Sequence, residues 1–70
     1  MNKKKSHRLI RIKDVTAMTN LSKSYIYQLS KEGLFPKPVK IVPRGVSVGW
    51  IFEEVNDWID SRIKDRDEAA

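Results

Sequence analysis

The stretch of sequence that decides the fold is IKDVTAMTNLSKSYIYQL, which runs from Ile12 to Leu29. Its apolar residues recur at helical spacing in two short segments, and Asn20 lies between them. Asparagine adopts a left-handed backbone more easily than most residues, so it suits a sharp turn after a helix. The stretch therefore predicts two short helices joined by a tight turn.

Polar residues mark the ends of these two helices. Asp14 is an N-cap or first-turn acid of the first helix, which is expected to stop near Thr19. Ser22 is a good N-cap for the second helix, predicted over residues 23–32 and ending at Gly33. The packing positions of the pair are Val15, Leu21, Ile26 and Leu29.

Short β-rich runs flank the two helices. Residues 8–12 (RLIRI) predict a short edge strand. Residues 39–42 and 46–50 lie on either side of Pro43–Gly45, which predicts a β-hairpin with a short turn. Between the second helix and the hairpin, Leu34 and Phe35 are expected to return to the core.

A last and longest helix is predicted over residues 51–66. Its apolar residues repeat at three- and four-residue spacing, and they are Ile51, Val55, Trp58, Ile59 and Ile63. Trp50 and Trp58 lie among apolar neighbours, so both are interpreted as core anchors rather than as stacking platforms for bases.

The order of elements is strand, helix, sharp turn, helix, hairpin, helix. This order predicts a mainly α fold with a small β-hairpin, of the winged helix-turn-helix class. Seventy residues suffice for one small domain. We expect a flexible basic tail over residues 1–7, the folded domain over residues 8–66 and a frayed C-terminus over residues 67–70.

Charge is distributed unevenly along the chain, whose net charge is +5. Residues 1–50 hold 11 Lys and Arg against two acids, a net of +9. Residues 51–70 hold three Lys and Arg against seven acids, a net of −4. Such asymmetry favours binding of one part of the molecule to nucleic acid or to an anionic surface.

Composition excludes several other functions. Because the chain has no cysteine and one histidine, we expect neither a disulfide scaffold nor a zinc site. We also expect no cofactor. No nucleophile lies beside a base and no glycine-rich loop suits a phosphate, so neither an enzyme nor a small-molecule substrate is expected. No apolar run has membrane-spanning length, which predicts a cytoplasmic protein without membrane contact.

Polar residues on the second helix and the hairpin are the candidate DNA contacts. The second helix, residues 22–32, is predicted to enter the major groove, and the wing, residues 37–48, to lie on the backbone. The amide of Gln28 matches the donor and acceptor pair of adenine. Tyr25 is expected to face inward. The predicted contact residues are Ser22, Lys23, Ser24, Tyr27, Gln28, Lys31, Lys37, Lys40 and Arg44.

Three stretches carry a resemblance to a known family. They are RLIRIKDV from Arg8 to Val15, LSKSYIYQLSKEGLFPKPVKI from Leu21 to Ile41, and VGWIFEEVNDWI from Val48 to Ile59. Together they resemble the AlpA family of phage-type regulators, relatives of excisionases and MerR-like winged-helix domains. The resemblance implies a double-stranded DNA-binding regulator of a prophage or integrative element that controls an integrase or excision gene.

Two alternatives remain open from the sequence. One is an excisionase-type architectural factor that bends DNA for an integrase. The other is a protein-interaction adaptor that uses the acidic last helix and never touches DNA. A homo-oligomer or an integrase partner is compatible with each DNA-binding hypothesis, and neither the operator nor a DNA contact by Lys3–Lys5 can be derived from the sequence.

Overall fold

Three helices and a three-stranded antiparallel sheet make up residues 7–69, the part of the chain that the computed structural model describes. In chain order the elements are β1 (Leu9–Ile10), α1 (Ile12–Thr19), α2 (Lys23–Lys31), β2 (Val39–Lys40), β3 (Val48–Ile51) and α3 (Phe52–Ala69). The predicted mainly α fold with a winged helix-turn-helix order is confirmed. The tail predicted over residues 1–7 lies outside the described residues, apart from His7, which is exposed.

The turn between α1 and α2 has the predicted geometry. Asn20 has a left-handed backbone with φ of 64°, and its N–H donates to the Thr16 carbonyl at 2.7 Å. The Ser22 hydroxyl oxygen accepts from the Tyr25 N–H at 3.2 Å and caps α2. These two residues end one helix and begin the next, so they set the angle between α1 and α2.

The sheet has β3 in its centre, with β1 and β2 at its edges. Leu9 pairs with Ile51 on one side of β3, and Val39 pairs with Gly49 on the other. Residue 51 was expected to start the last helix, and this prediction is wrong. Because β1 pairs with β3 as far as Ile51, α3 begins only at Phe52.

The last helix also extends further than the sequence predicts. It runs as far as Ala69 instead of residue 66. Its start is held by the Phe52 N–H, which donates to the Arg8 carbonyl at 2.8 Å. The guanidinium of Arg8 lies 5.0 Å from the centre of the Phe52 ring, a cation–π distance. Fraying over residues 67–70 stays a prediction.

The predicted hairpin forms, with strands shorter than expected. The Ile41 N–H donates to the Ser47 carbonyl at 3.0 Å, and the Gly45 N–H donates to the Val42 carbonyl at 2.9 Å. Arg44 at the tip has φ of 67°, a conformation that costs a non-glycine residue free energy. The chain between the strands is therefore a defined, hydrogen-bonded turn rather than an extension of them.

The core lies between the helices and one face of the sheet. Its buried apolar residues are Ile10, Val15, Ile26, Phe35, Trp50 and Val55. Of the four predicted packing positions, Val15 and Ile26 are fully buried, and Leu21 and Leu29 pack partly buried against the core. Trp50 has no exposed surface and Trp58 packs at the edge of the core, as expected of two anchors.

Leu34 does not return to the core, contrary to the prediction. Its side chain is 60% exposed, while its backbone is hydrogen-bonded to two other residues. The Leu34 N–H donates to the Leu29 carbonyl, and the Leu34 carbonyl accepts from Trp58 Nε1, each at 2.8 Å. Gly33, with φ of 78°, makes this turn possible, and Phe35 then supplies the buried side chain.

Candidate nucleic-acid interface

The nine candidate contact residues are all exposed. Five of them lie at the start and on the outer face of α2, and they are Ser22, Lys23, Ser24, Tyr27 and Gln28. Lys31 ends the same helix, Lys37 precedes β2, Lys40 belongs to β2, and Arg44 lies at the hairpin tip. Exposure is necessary for contact with DNA, while the contact itself stays a prediction.

Tyr25 is the one residue of α2 that the sequence pattern places wrongly. It was expected to face inward, yet its side chain is 47% exposed. Ser30 is instead buried, because its hydroxyl donates to the Pro36 carbonyl at 2.9 Å. Ile26 and Ser30 are the buried residues of α2, and Tyr25 lies at its surface.

A hydrogen-bonded support holds the chain after α2 against the helix. The Pro36 carbonyl accepts from Trp50 Nε1 at 3.0 Å as well as from Ser30. The Tyr27 ring meets the Trp50 ring edge-on, with centres 5.5 Å apart. Buried donors thus fix Pro36, and with it the position of Lys37 relative to α2.

This support brings three of the candidate contacts together. Tyr27, Lys31 and Lys37 line one open cleft of about 410 Å³, together with Ser30 and Pro38. Lys37 was assigned to the wing from the sequence, but it shares this cleft with α2. Two lysines on one cleft give it a positive potential, which suits a phosphate-rich partner.

A second concave surface lies where α1 meets the start of α2. Ser22 and Lys23 line it together with Lys13 and Thr16 of α1. Lys13 is not among the contacts predicted from the sequence. The spacing within α1 could have identified Lys13 as a candidate contact. Residues three apart lie on the same side of a helix, and Lys13 and Thr16 lie on the side that faces α2.

The outer face of α2 carries positive charge without an acid. No Asp or Glu occurs from Ser22 to Lys31, and Glu32 follows directly after the helix. Gln28 Nε2 donates to Glu32 Oε2 at 3.3 Å, so the amide that was predicted to recognise adenine has an internal partner in the free protein.

Comparison with known proteins connects this geometry to a family. The family model described as prophage CP4-57 regulatory protein (AlpA) matches residues 8–63. The chain belongs to the AlpA family. The matched range includes β1, the whole helix-turn-helix, the hairpin and most of α3. All nine candidate residues therefore lie within the AlpA domain.

A phage protein shares much of the sequence. The chain is 37% identical over 59 residues to the uncharacterized protein ORF88 of Enterobacteria phage P4. The alignment covers 84% of this chain and 65% of the phage protein. The chain thus spans somewhat less than two thirds of the length of this phage relative.

The acidic side of the AlpA domain lies on α3. Its exposed acids include Glu54, Asp57 and Asp60, and two ion pairs join Arg62 to Asp65 and Arg66 to Asp67. Over residues 7–69, no cluster of acids and histidine has a composition that would hold a metal ion. Within the same residues, no helix is both long and apolar enough to cross a membrane.

Proposed function

We propose that this AlpA-family protein binds double-stranded DNA in a sequence-specific manner and regulates transcription from a prophage or integrative element. In this proposal α2 lies in the major groove and the β2–β3 hairpin lies on the backbone. The regulated gene is an integrase or excision gene. The family description, a prophage regulatory protein, supports the regulatory part of the proposal.

The main support for the proposal is the character of the outer face of α2. This face follows a helix-turn-helix turn, it has no acid between Ser22 and Lys31, and it is exposed from its first residue to its last contact. Recognition helices present their N-terminal residues to base edges in the same way. Ser24 and Gln28 lie four residues apart on this face, so both are available to bases when the helix enters the groove.

The positive residues beside α2 supply the non-specific part of the affinity. Lys23 and Lys31 are the first and last residues of α2, and Lys37 lines the same cleft as Lys31. Lys40 and Arg44 extend the positive charge along the hairpin. Each phosphate that such a residue neutralises releases condensed counterions, which favours binding at low salt.

Selection of binding sites from a pool of random duplexes is the direct test. The expected result is one preferred site, bound more tightly than a scrambled duplex at 0.15 M salt, with affinity that falls steeply as salt rises. Gln28→Ala should weaken binding to the selected site by about tenfold or more while leaving the scrambled duplex unaffected. Asn56→Ala, an exposed amide on α3, is the matched control.

Other outcomes would contradict the proposal in different ways. Equal binding to all duplexes, with strong bending of tandem sites, would favour an architectural, excisionase-type protein. A complete lack of duplex binding at low salt would favour an adaptor that uses the acidic side of α3. A selected site whose affinity is unchanged by both Gln28→Ala and Lys23→Ala would contradict the placement of α2 in the groove.

A further inference from the structure

Two tyrosines flank the outward side of α2. Tyr25 is 47% exposed and Tyr27 is 41% exposed, and each is the immediate neighbour of Ile26, which has no exposed surface. Tyrosine is enriched at interfaces, because its ring is apolar and its hydroxyl group binds polar partners. Half-exposed tyrosines on both sides of one buried residue therefore mark a candidate binding surface.

Helical geometry fixes where the two rings project. Successive residues of an α-helix are separated by about 100° around the axis. Since Ile26 points into the core, Tyr25 and Tyr27 lie about 100° to either side of it, and roughly 80° to either side of the outward direction. Ser24 and Gln28 lie close to that outward direction, so the two tyrosines border the surface that carries them.

The rings are held in different ways. Tyr27 packs edge-on against the buried Trp50, with ring centres 5.5 Å apart, so its ring has a fixed contact on its inner side. The Tyr25 N–H donates to the Ser22 hydroxyl oxygen at 3.2 Å, and this hydrogen bond fixes the backbone of Tyr25 in the first turn of α2. Neither phenolic oxygen has a hydrogen-bond partner among the described residues. Both hydroxyl groups are therefore free to bind a partner.

We propose that Tyr25 and Tyr27 clamp α2 between the two walls of the major groove, each donating its phenolic O–H to a phosphate of a different strand. The inference rests on the proposed DNA-binding function and assigns the contacts that orient the helix. A helix with its side chains is about 10–12 Å across, close to the roughly 12 Å width of the major groove. Its two flanks therefore face the phosphates on opposite walls.

The chemistry distinguishes this clamp from the lysine contacts. A phenol is neutral at pH 7 and donates one hydrogen bond to a phosphate oxygen without displacing a counterion. Lysine contacts contribute to the salt dependence of binding, whereas tyrosine contacts contribute affinity that salt does not change. The clamp would set the position and angle of α2, which decides the bases that Gln28 meets.

The experiment compares Tyr25→Phe and Tyr27→Phe with the unchanged protein on the selected duplex. Each variant keeps its ring and loses only the hydroxyl, so the Tyr27 contact with Trp50 is retained and the thermal unfolding midpoint should not move. We expect each variant to bind about tenfold more weakly, with the same slope of log affinity against log salt. Lys23→Ala is the positive control for a slope that changes.

Duplexes with single neutral methylphosphonate substitutions then identify the phosphates. The unchanged protein should be weakened by substitutions at several phosphates, since lysine contacts respond as well, and two of these phosphates, one on each strand, are expected to belong to the tyrosines. Tyr25→Phe should lose its sensitivity at one of these positions, and Tyr27→Phe should lose it at the position on the other strand. Non-additivity of this kind identifies the two partners of one hydrogen bond.

Three results would overturn the inference while duplex binding stands. These are full affinity in both phenylalanine variants, a changed salt slope, or lost sensitivity at phosphates of the same strand only. If the unchanged protein has no preferred duplex, the proposed function fails together with the inference. The failure of the clamp alone is therefore distinguishable from the failure of DNA recognition.

Discussion

Helices α2 and α3 make opposite use of their exposed surfaces. Helix α2 has nine residues, two of them lysines and none acidic. Helix α3 has 18 residues with seven acids and three bases. Both pack apolar residues against the same core. The net charge of +5 is thus the difference between a positive and a negative surface, rather than a uniform property of the domain.

If the domain binds DNA as proposed, this contrast determines how it approaches the duplex. A polyanion attracts the α2 side and repels the acidic side of α3, so the field orients the domain before any hydrogen bond forms. Such an orientation requires a rigidly held α2, because a loosely held helix would present no fixed surface. Trp50 supports α2, since it lies under Tyr27 and donates to the Pro36 carbonyl.

Replacement of Trp50 should have the largest effect. Trp50→Ala removes a fully buried ring and leaves the Pro36 carbonyl with one donor fewer. We expect the free energy of unfolding to fall by about 4 kcal/mol, most of the stability of a domain this small. Urea unfolding followed by far-UV circular dichroism measures the change.

Trp58→Ala is the matched comparison. Trp58 is only partly buried and donates to the Leu34 carbonyl at 2.8 Å, so its loss should cost about 2 kcal/mol. An equal or larger loss at Trp58 would contradict the assignment of Trp50 as the main support of α2.

Removal of positive charge from each helix tests the contrast directly. Lys23→Ala with Lys31→Ala should lower the slope of log affinity against log salt by about 1.8, since each lysine contact contributes about 0.9. Binding at 0.15 M salt should be weaker by roughly an order of magnitude. Fluorescence anisotropy of a labelled duplex at four or five salt concentrations gives both quantities.

The control removes the same amount of charge from α3. Lys64→Ala with Arg66→Ala lowers the net charge by two, as the α2 pair does. The slope should then stay within error of its original value. A similar fall of the slope in both double variants would mean that DNA responds to total charge and not to the α2 surface.

Much of this architecture is predictable from local sequence signals. The turn at Asn20, the cap at Ser22 and the hairpin around Arg44 each follow from residues within a few positions. The inner positions Val15 and Ile26 follow from spacing. Such features need no knowledge of distant contacts, and the structure confirms all of them.

The errors arise where a distant partner decides the outcome. On α2 the inner position belongs to Ser30, whose hydroxyl donates to the Pro36 carbonyl six residues further on, while Tyr25 is exposed. The side chain of Leu34 is exposed, and its backbone carbonyl accepts from Trp58, 24 residues away. Ile51 lies in a strand because Leu9 pairs with it. A prediction from hydrophobic spacing uses only the polarity of each side chain. It therefore does not account for hydrogen bonds by which a serine is buried while a leucine is exposed.

The cap of α2 should have a smaller effect on stability. Ser22→Ala removes the oxygen that accepts from the Tyr25 N–H, and we expect a loss of about 1 kcal/mol in the free energy of unfolding. Ser24→Ala, two residues further along the same exposed surface, should change it by less than about 0.5 kcal/mol. Equal losses in urea unfolding would mean that the cap does not contribute to holding α2.

Replacement of single acids should have the smallest effect on DNA binding. It also gives the closest comparison between the surroundings of α2 and those of α3. Glu32→Gln and Asp60→Asn each remove one negative charge, the first directly after α2 and the second from α3. At 0.15 M salt the screening length is about 8 Å, so only an acid near the phosphates repels the DNA appreciably. Glu32→Gln should therefore strengthen duplex binding severalfold, and it also weakens the internal hydrogen bond of the Gln28 amide, because a neutral amide oxygen is a weaker acceptor than a carboxylate.

Asp60→Asn should change affinity by less than twofold at that salt concentration. At 0.01 M salt the screening length grows to about 30 Å, and the acidic helix then lies within range of the duplex. The two variants should accordingly approach each other in affinity as salt is lowered. Equal strengthening at 0.15 M salt would mean that Asp60 lies within a few ångströms of the phosphates. Helix α3 would then belong to the DNA-binding surface of the domain.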